Sequence, residues 1–319
     1  MQINGLLSGD EVSLPFLTGT ISQQASAGGG GASYSNTKSV SFDGNSDDGF
    51  ITCDNKDPSV SSSGSIFTNL ETDQAWSFTF WIKTTTGGLA GQPDYILGKF
   101  GSKGFVSGLE GGGNLYTALI DSSGNRTDLK TNTSLSDGNW HFIALVYDGT
   151  GNRGSPTSGS TSTQVTGSAL KVYIDGGSSE NLFFGFTNSS AQLTGSFQDA
   201  KPLVFGGYSG SPTANLYIGN LDEVAFWDVA LSQSEASAIY NSGSTTDLNS
   251  HSQASKLISW WRMGDGTGDT LSATSPGATN LATNLIKDMS TAVSYTRNDA
   301  SAKDRAATAD CEIVSVSPG

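Results

Sequence analysis

Trp76-Ser77-Phe78-Thr79-Phe80-Trp81-Ile82-Lys83 is the stretch whose reading decides the fold. Trp76, Phe78, Phe80 and Ile82 fall on one side of an extended chain, and Ser77, Thr79 and Lys83 on the other. That is the period-two alternation of a half-buried strand. Trp81 is the exception, a large aromatic on the polar side. Residues 141–147 are apolar on both faces, as expected near the centre of a sandwich. Ser39-Val40-Ser41-Phe42 alternates and turns at Asp43-Gly44-Asn45, and residues 169–174 run into Asp175-Gly176-Gly177, a hairpin signal. Leu203-Val204-Phe205, Leu216-Tyr217-Ile218, Val224-Ala225-Phe226-Trp227 and 311–316 supply further strands. One short helix is marked by the capping box Ser232-Gln233-Ser234-Glu235, continues through the apolar stripe Ala236, Ile239 and Tyr240, and stops at Asn241-Ser242-Gly243.

Composition agrees. Of 319 residues 41 are Gly, and with Ser and Thr the small residues exceed a third of the chain, while charged residues are 14%. Helical bundles want Ala, Leu, Glu and Lys, and the 6 Trp, 9 Tyr and 15 Phe are too many for a disordered tail. An all-β sandwich or barrel fits. The net charge of −14 lacks the basic footprint that nucleic acid demands and disfavours anionic membranes. No apolar run approaches the roughly 20 residues of a membrane span. The start lacks a basic segment followed by an apolar stretch, so no signal peptide is expected.

Three segments are expected. Residues 1–36 form an N-terminal arm with an apolar patch (Leu6, Leu7, Val12, Leu14, Phe16, Leu17) and the run 28–31 of four Gly. The patch either covers a sheet of its own domain or docks on a neighbour. Residues 37–247 are the body. Residues 248–319 are a C-terminal extension, too small for its own core, that packs on the body or a neighbouring subunit. Long polar loops are expected at 54–66 and 149–168. Cys53 and Cys311 read either as two unpaired buried thiols or as one long-range disulfide.

The chemistry is sparse. Seven Glu (11, 71, 110, 180, 223, 235, 312) contain no Glu-x-Asp-x-Glu cluster of the kind that places two acids on one strand face. Asp222 and Glu223 fall on opposite faces of a strand, and Glu223 reads as a solvated residue. His141 occupies a structural strand position, and His251 sits in a polar loop without a visible partner. Gly111-Gly112-Gly113-Asn114 lacks the Lys and helix of a phosphate loop. The turn Asp43-Gly44-Asn45-Ser46-Asp47-Asp48 gathers three carboxylates and an amide, oxygen donors suited to calcium, against which stands a plain Asx turn. Trp81 and Tyr208 are candidate aromatic platforms for a sugar; the competing reading is packing beneath a loop or the tail.

In order, Ser41-Phe42-Asp43-Gly44, 76–83, Asp137-Gly138-Asn139-Trp140-His141-Phe142, Lys171-Val172-Tyr173-Ile174-Asp175-Gly176, Ile218-Gly219-Asn220-Leu221-Asp222-Glu223-Val224-Ala225-Phe226-Trp227-Asp228 and the closing helix resemble the laminin-G-like, concanavalin A-like jelly roll. The resemblance covers residues 37–245. It implies an antiparallel jelly-roll sandwich with one short helix, and a calcium site built on Asp43, the Gly44 carbonyl, Asp47 and Asp222. Trp260-Trp261-Arg262-Met263-Gly264-Asp265-Gly266-Thr267-Gly268-Asp269-Thr270 resembles a segment of structural proteins of marine tailed phages. The expectation is a non-enzymatic virion protein, a capsid decoration, head fibre or tail-associated adhesin. Its partners would be other virion proteins, copies of itself and host surface polysaccharide, with no nucleic acid, no membrane and no cofactor beyond calcium. The alternatives are a secreted bacterial carbohydrate-binding or adhesion module and, disfavoured by the missing acids, a glycoside hydrolase.

Overall fold

The computed structural model describes residues 34, 36–44, 50–53, 70–156, 165–180, 182–183, 192–199, 201, 203–208 and 215–266, with short strands at 285–286, 294–295, 303–304 and 311–314. The apolar patch of residues 6–17, the loop 54–66 and Asp47 lie outside the described residues.

In chain order the strands are β1 (Val40–Asp43), β2 (Phe50–Cys53), β3 (Trp76–Lys83), β4 (Asp94–Phe100), β5 (Gly104–Leu109), β6 (Asn114–Ile120) and β7 (Arg126–Ser134). Next come β8 (Trp140–Tyr147), β9 (Arg153–Pro156), β10 (Val165–Ser168), β11 (Leu170–Ile174), β12 (Leu182–Phe183), β13 (Leu203–Phe205) and β14 (Ile218–Trp227). Helix α1 (Gln233–Tyr240) follows, then β15 (Leu257–Trp261), β16 (Leu285–Ile286), β17 (Ser294–Tyr295), β18 (Lys303–Asp304) and β19 (Cys311–Val314). The six-stranded sheet runs β1-β14-β3-β8-β11, with β15 also on β14. The nine-stranded sheet runs β12-β7-β6-β5-β4-β13-β2-β19-β16. The named strands pair antiparallel throughout, so the molecule is a β-sandwich with one short helix. The expected loop at 149–168 contains the β9–β10 hairpin, and the strands read separately at 216–218 and 224–227 are joined through the bulged β14.

The alternation of β3 makes the core. Trp76, Phe78, Phe80 and Ile82 are buried between the sheets, where Trp76 and Phe78 meet Phe105 of β5 at ring separations of 5.4 and 5.1 Å. Phe205 of β13 meets Trp261 of β15 edge-on at 5.3 Å. Each such side chain contributes roughly 1.5–3 kcal/mol by leaving water.

The polar side of β3 is buried too, so the strand is covered on both faces rather than half-buried as its alternation suggests. Ser77 donates to the Val229 carbonyl at 2.7 Å and accepts from the Leu231 amide at 3.0 Å, and Thr79 accepts from Trp227 Nε1 at 3.0 Å. Helix α1 closes this face with Ala236, Ile239 and Tyr240. The capping box forms as read: Glu235 N donates to Ser232 Oγ at 3.3 Å and Ser232 N donates to Glu235 Oε2 at 2.7 Å. Trp81, expected as a sugar platform, is 3% exposed; it packs on Phe142 at 5.5 Å and stacks on Tyr240 at 5.7 Å. It cannot present its ring to a ligand, because the helix has taken that place.

Candidate functional site

The outer face of the nine-stranded sheet is arranged differently. Phe105 and Leu109 of β5, Leu115 and Leu119 of β6 and Leu129 of β7 join the main core, so the alternate residues Val106, Gly108, Tyr116, Ala118, Asp128 and Lys130 face outward. Val106, Tyr116 and Ala118 form a separate apolar floor against which Tyr95, Phe100 and Tyr208 pack half-buried. The register lays these side chains in rows. Tyr95 stands opposite Gly108, Gly108 opposite Tyr116, and Tyr116 opposite Lys130. In the next row Gly98 faces Val106, Val106 faces Ala118, and Ala118 faces Asp128. Gly108 leaves a gap between two tyrosines, and it must be Gly: a Cβ there would lie 2.5 Å from the Asp94 carbonyl oxygen. Tyr208 lies over Gly98, with its ring 4.5 Å from Tyr95 and 6.2 Å from Phe100.

Polar groups flank this floor. Arg126 Nε donates to both Asp128 oxygens at 2.8 and 2.9 Å, the Tyr116 hydroxyl donates to Asp128 Oδ1 at 2.7 Å, and Arg126 Nη2 donates to that hydroxyl. Lys130 Nζ pairs with Glu110 Oε2 at 3.1 Å. In both pairs the carboxylate is buried and the cation is the outward partner: the Arg126 and Lys130 side chains are 33% and 25% exposed, against 0% and 2% for Asp128 and Glu110. Burial raises the Asp128 carboxyl above its usual range, opposed by Arg126 and Tyr116. Burial likewise raises the hydroxyls of Tyr116 and Tyr95, so both stay protonated. The arrangement offers aromatic faces, hydroxyls and fixed charged donors on one surface.

A second cluster lies where β1 and β15 share one edge of β14. Asp222 and Glu223 occupy the gap between them, at a bulge where Glu223 has φ 48°. The bulge buries both acids, which corrects the reading of Glu223 as solvated and of the pair as alternating across a strand. Glu223 accepts from the Tyr34 hydroxyl at 2.8 Å, Trp260 Nε1 at 2.5 Å and Arg262 Nε at 3.2 Å. Tyr34 and Trp260 stack at 6.1 Å, with the Arg262 guanidinium 4.4 Å from the Tyr34 ring centre. Asn36 Nδ2 donates to Asp222 Oδ2 at 2.9 Å, and Asp265 Oδ2 accepts from the Thr37 and Lys38 amides. Burial pushes the Glu223 carboxyl up to about 7 against the pull of Arg262, and burial together with Glu223 raises Asp222. These acids hold the chain that enters the body to the chain that leaves β15.

Of the expected calcium residues, Asp43 and Asp222 are set apart along the sheet, and Asp47 lies outside the described residues. Asp43 stands opposite Ile218 and Asp222 lies four residues further along β14, about 13 Å at the rise of a strand. Gly44 has φ 79° and abuts Ile218. Among the described residues no group of three or more His, Cys, Asp or Glu is placed to hold a metal ion. Of the sugar platforms, Tyr208 joins the tyrosine face and Trp81 does not. Tyr95, Tyr116, Arg126, Asp128, Lys130 and Glu110 were not singled out from sequence. The alternation of Asn114-Leu115-Tyr116-Thr117-Ala118-Leu119-Ile120 was the available signal. His141 is held between Asp175 (Nδ1 to Oδ2, 2.8 Å) and Asp137 (Nε2 to Oδ1, 3.1 Å), and His251 packs edge-on to Trp227 at 5.4 Å.

A family model described as the concanavalin A-like lectin/glucanases superfamily matches residues 54–237, more than half of the chain. The chain belongs to this superfamily. No curated protein matches it. Among solved structures, this member of the superfamily is similar to the binding domain of Paraclostridial Mosquitocidal Protein 1, with 19% identity, a TM-score of 0.39, and coverage of 55% of this chain and 38% of that one. A candidate carbohydrate-binding protein of Bacteroides ovatus shows 16% identity, a TM-score of 0.44, and coverage of 81% and 58%. The CBM40 of the Ruminococcus gnavus IT-sialidase shows 13% identity, a TM-score of 0.40, and coverage of 64% and 97%. The chain thus spans less than two thirds of the first two.

Proposed function

We propose that the chain is a non-enzymatic carbohydrate-binding module whose ligand lies across the outer face of β4 to β7, against Tyr95 and Tyr208. The observation that carries this reading is the tyrosine surface beside Gly98 and Gly108, flanked by the Arg126–Asp128 and Lys130–Glu110 pairs. Sugars present apolar C–H faces and a periphery of hydroxyls. Flat aromatic rings take the former, and fixed charged hydrogen-bonding groups orient the latter. Superfamily membership supports a saccharide as the ligand class and leaves lectin and glucanase both open. What supports a binding role is that, among the described residues of this face and of the β14 bulge, Asp128 and Glu110 are each bonded to a cation, and Asp222 and Glu223 are spent on joining chain segments.

A glycan array followed by titration of the best ligand tests the reading, with Tyr95→Ala and Tyr208→Ala alongside the native chain. Binding that both substitutions weaken while the melting temperature holds supports it. A blank array at high protein concentration removes it, and undiminished binding by both variants moves the ligand off this face.

A second reading concerns the setting. The module is carried by a virion as a decoration, fibre or adhesin subunit, with residues 1–33 as the assembly element and host polysaccharide as the glycan. What favours it is the resemblance of 260–270, together with the anchoring of Tyr34, Asn36 and Thr37 to Glu223, Asp222 and Asp265, which fixes where the arm leaves the body. Light scattering with and without residues 1–33 tests it. Defined oligomers that need the arm support it, and monomers in both cases favour a free-standing extracellular module.

A further inference from the structure

The chain has two cysteines, 258 positions apart in sequence. The strand register brings them together: β19 pairs antiparallel with β2, and Cys311 stands directly opposite Cys53. The pair lies inside the nine-stranded sheet. Cys53 is flanked on its other side by Leu203 of β13, and Cys311 by Ile286 of β16. Directly opposite residues of an antiparallel pair share a face and have Cα atoms about 4.5 or 5.5 Å apart. Both separations lie within the roughly 4.4–6.8 Å that a disulfide spans. A sheet of nine strands offers many partners to each position. That the only two cysteines of the chain are each other's partner is the observation on which the inference stands.

We infer that Cys53 and Cys311 form a cross-strand disulfide that fixes the C-terminal strand to the body. The bond closes by thiol–disulfide exchange with a small-molecule disulfide such as oxidised glutathione. One cysteine thiolate attacks the disulfide, forms a mixed disulfide and releases one glutathione thiolate. The second cysteine thiolate then attacks the sulfur of the first, forms the intrachain S–S bond and releases the second glutathione thiolate. Two protein thiols are oxidised, giving up two electrons and two protons, and one glutathione disulfide is reduced to two thiols. The staple encloses the residues between positions 53 and 311 in one covalent loop, and loops of this size restrict the unfolded chain most. It closes in an oxidising compartment and stays open in a reducing one.

The test uses the full-length chain incubated with a glutathione redox buffer, then denatured and treated with a thiol-alkylating reagent. The expected product takes up no label, is lighter than the reduced chain by two hydrogen atoms, and after trypsin yields peptide 39–56 joined to peptide 306–319. Alkylation of both cysteines, a glutathione adduct persisting on either one, or a dimer linked through them each overturns the inference. Melting in the presence and absence of dithiothreitol gives a second reading. Reduction lowers the melting temperature of the native chain by several degrees and leaves Cys53→Ser and Cys311→Ser unmoved. Equal sensitivity of the variants would show that the reductant acts elsewhere.

Discussion

The six-stranded sheet turns its outer face toward the chain's own helix and C-terminal turns, whereas the outer face of β4 to β7 in the nine-stranded sheet keeps half-buried tyrosines and outward cations. Both faces are rich in aromatics, and the difference lies in what satisfies them. Trp81, Phe142 and Trp227 are covered by Ala236, Ile239 and Leu248, and the polar atoms of Ser77 and Thr79 are consumed by backbone and indole partners. On the opposite sheet Tyr95, Phe100 and Tyr208 pack half-buried on one another and on the Val106, Tyr116 and Ala118 floor. An aromatic residue therefore says little about binding until its cover is known.

The sharpest way to break this comparison is to truncate one aromatic on each face. Trp81→Ala should cost ~3–5 kcal/mol of stability, or abolish folding, whereas Tyr208→Ala should stay within about 1 kcal/mol, read by chemical denaturation. Equal losses would mean that the tyrosine face is core as well. Next in size is Glu223→Ala, which removes the acceptor shared by Arg262, Tyr34 and the Trp260 indole in a buried site. A loss of about 3 kcal/mol is expected, and a silent substitution would show that the two chain segments are held by other contacts. On the tyrosine face, Tyr95→Ala should weaken glycan binding on the order of 10-fold in calorimetry with little change in melting.

A further effect is in pH. Burial raises Glu223 from 4.5 to about 7, so the folded state takes up a proton before the unfolded state does, and stability falls as pH rises through that window. The hydrogen bond to Asp175 raises His141 above 6.5. Its contribution is complete below 6.5 and is lost as pH climbs through the raised folded value. Melting temperature followed from roughly pH 5 to 9 should fall, with Glu223→Gln flattening the acid limb and His141→Gln the alkaline one. A rise over the same range would contradict both assignments.

Much of the six-stranded sheet was legible because its strands obey local rules: period two at Trp76 to Ile82, two apolar faces in β8, and the capping box at Ser232. The meander β4 to β7, which carries the candidate site, was not. Its strands hold Gly98, Gly104 and Gly108 where tight approach is needed and put Thr117, Thr127 and Thr131 among the inward positions, so the apolar alternation is diluted. Trp81 misled for another reason, since its cover, Tyr240, is 159 residues away and nothing local announces it. Glu223 is the same case in polar form: its donors lie 37, 39 and 189 residues away.

The shared edge of β14 also constrains the order in which the molecule can be made. Residues 218–221 of that edge are matched by β1, near the start of the body, and 224–227 by β15. A chain emerging from the ribosome can lay β3 against β8 early, but β1 and β3 have no partner on their facing edges until β14 appears, and the outer edge of β14 stays half bare until residue 261 follows. Contacts this distant in sequence slow folding. During that wait the unpaired amides and carbonyls of β1 and β3 form a sticky edge, so the protein's yield in a cell should depend on how quickly its last third is translated.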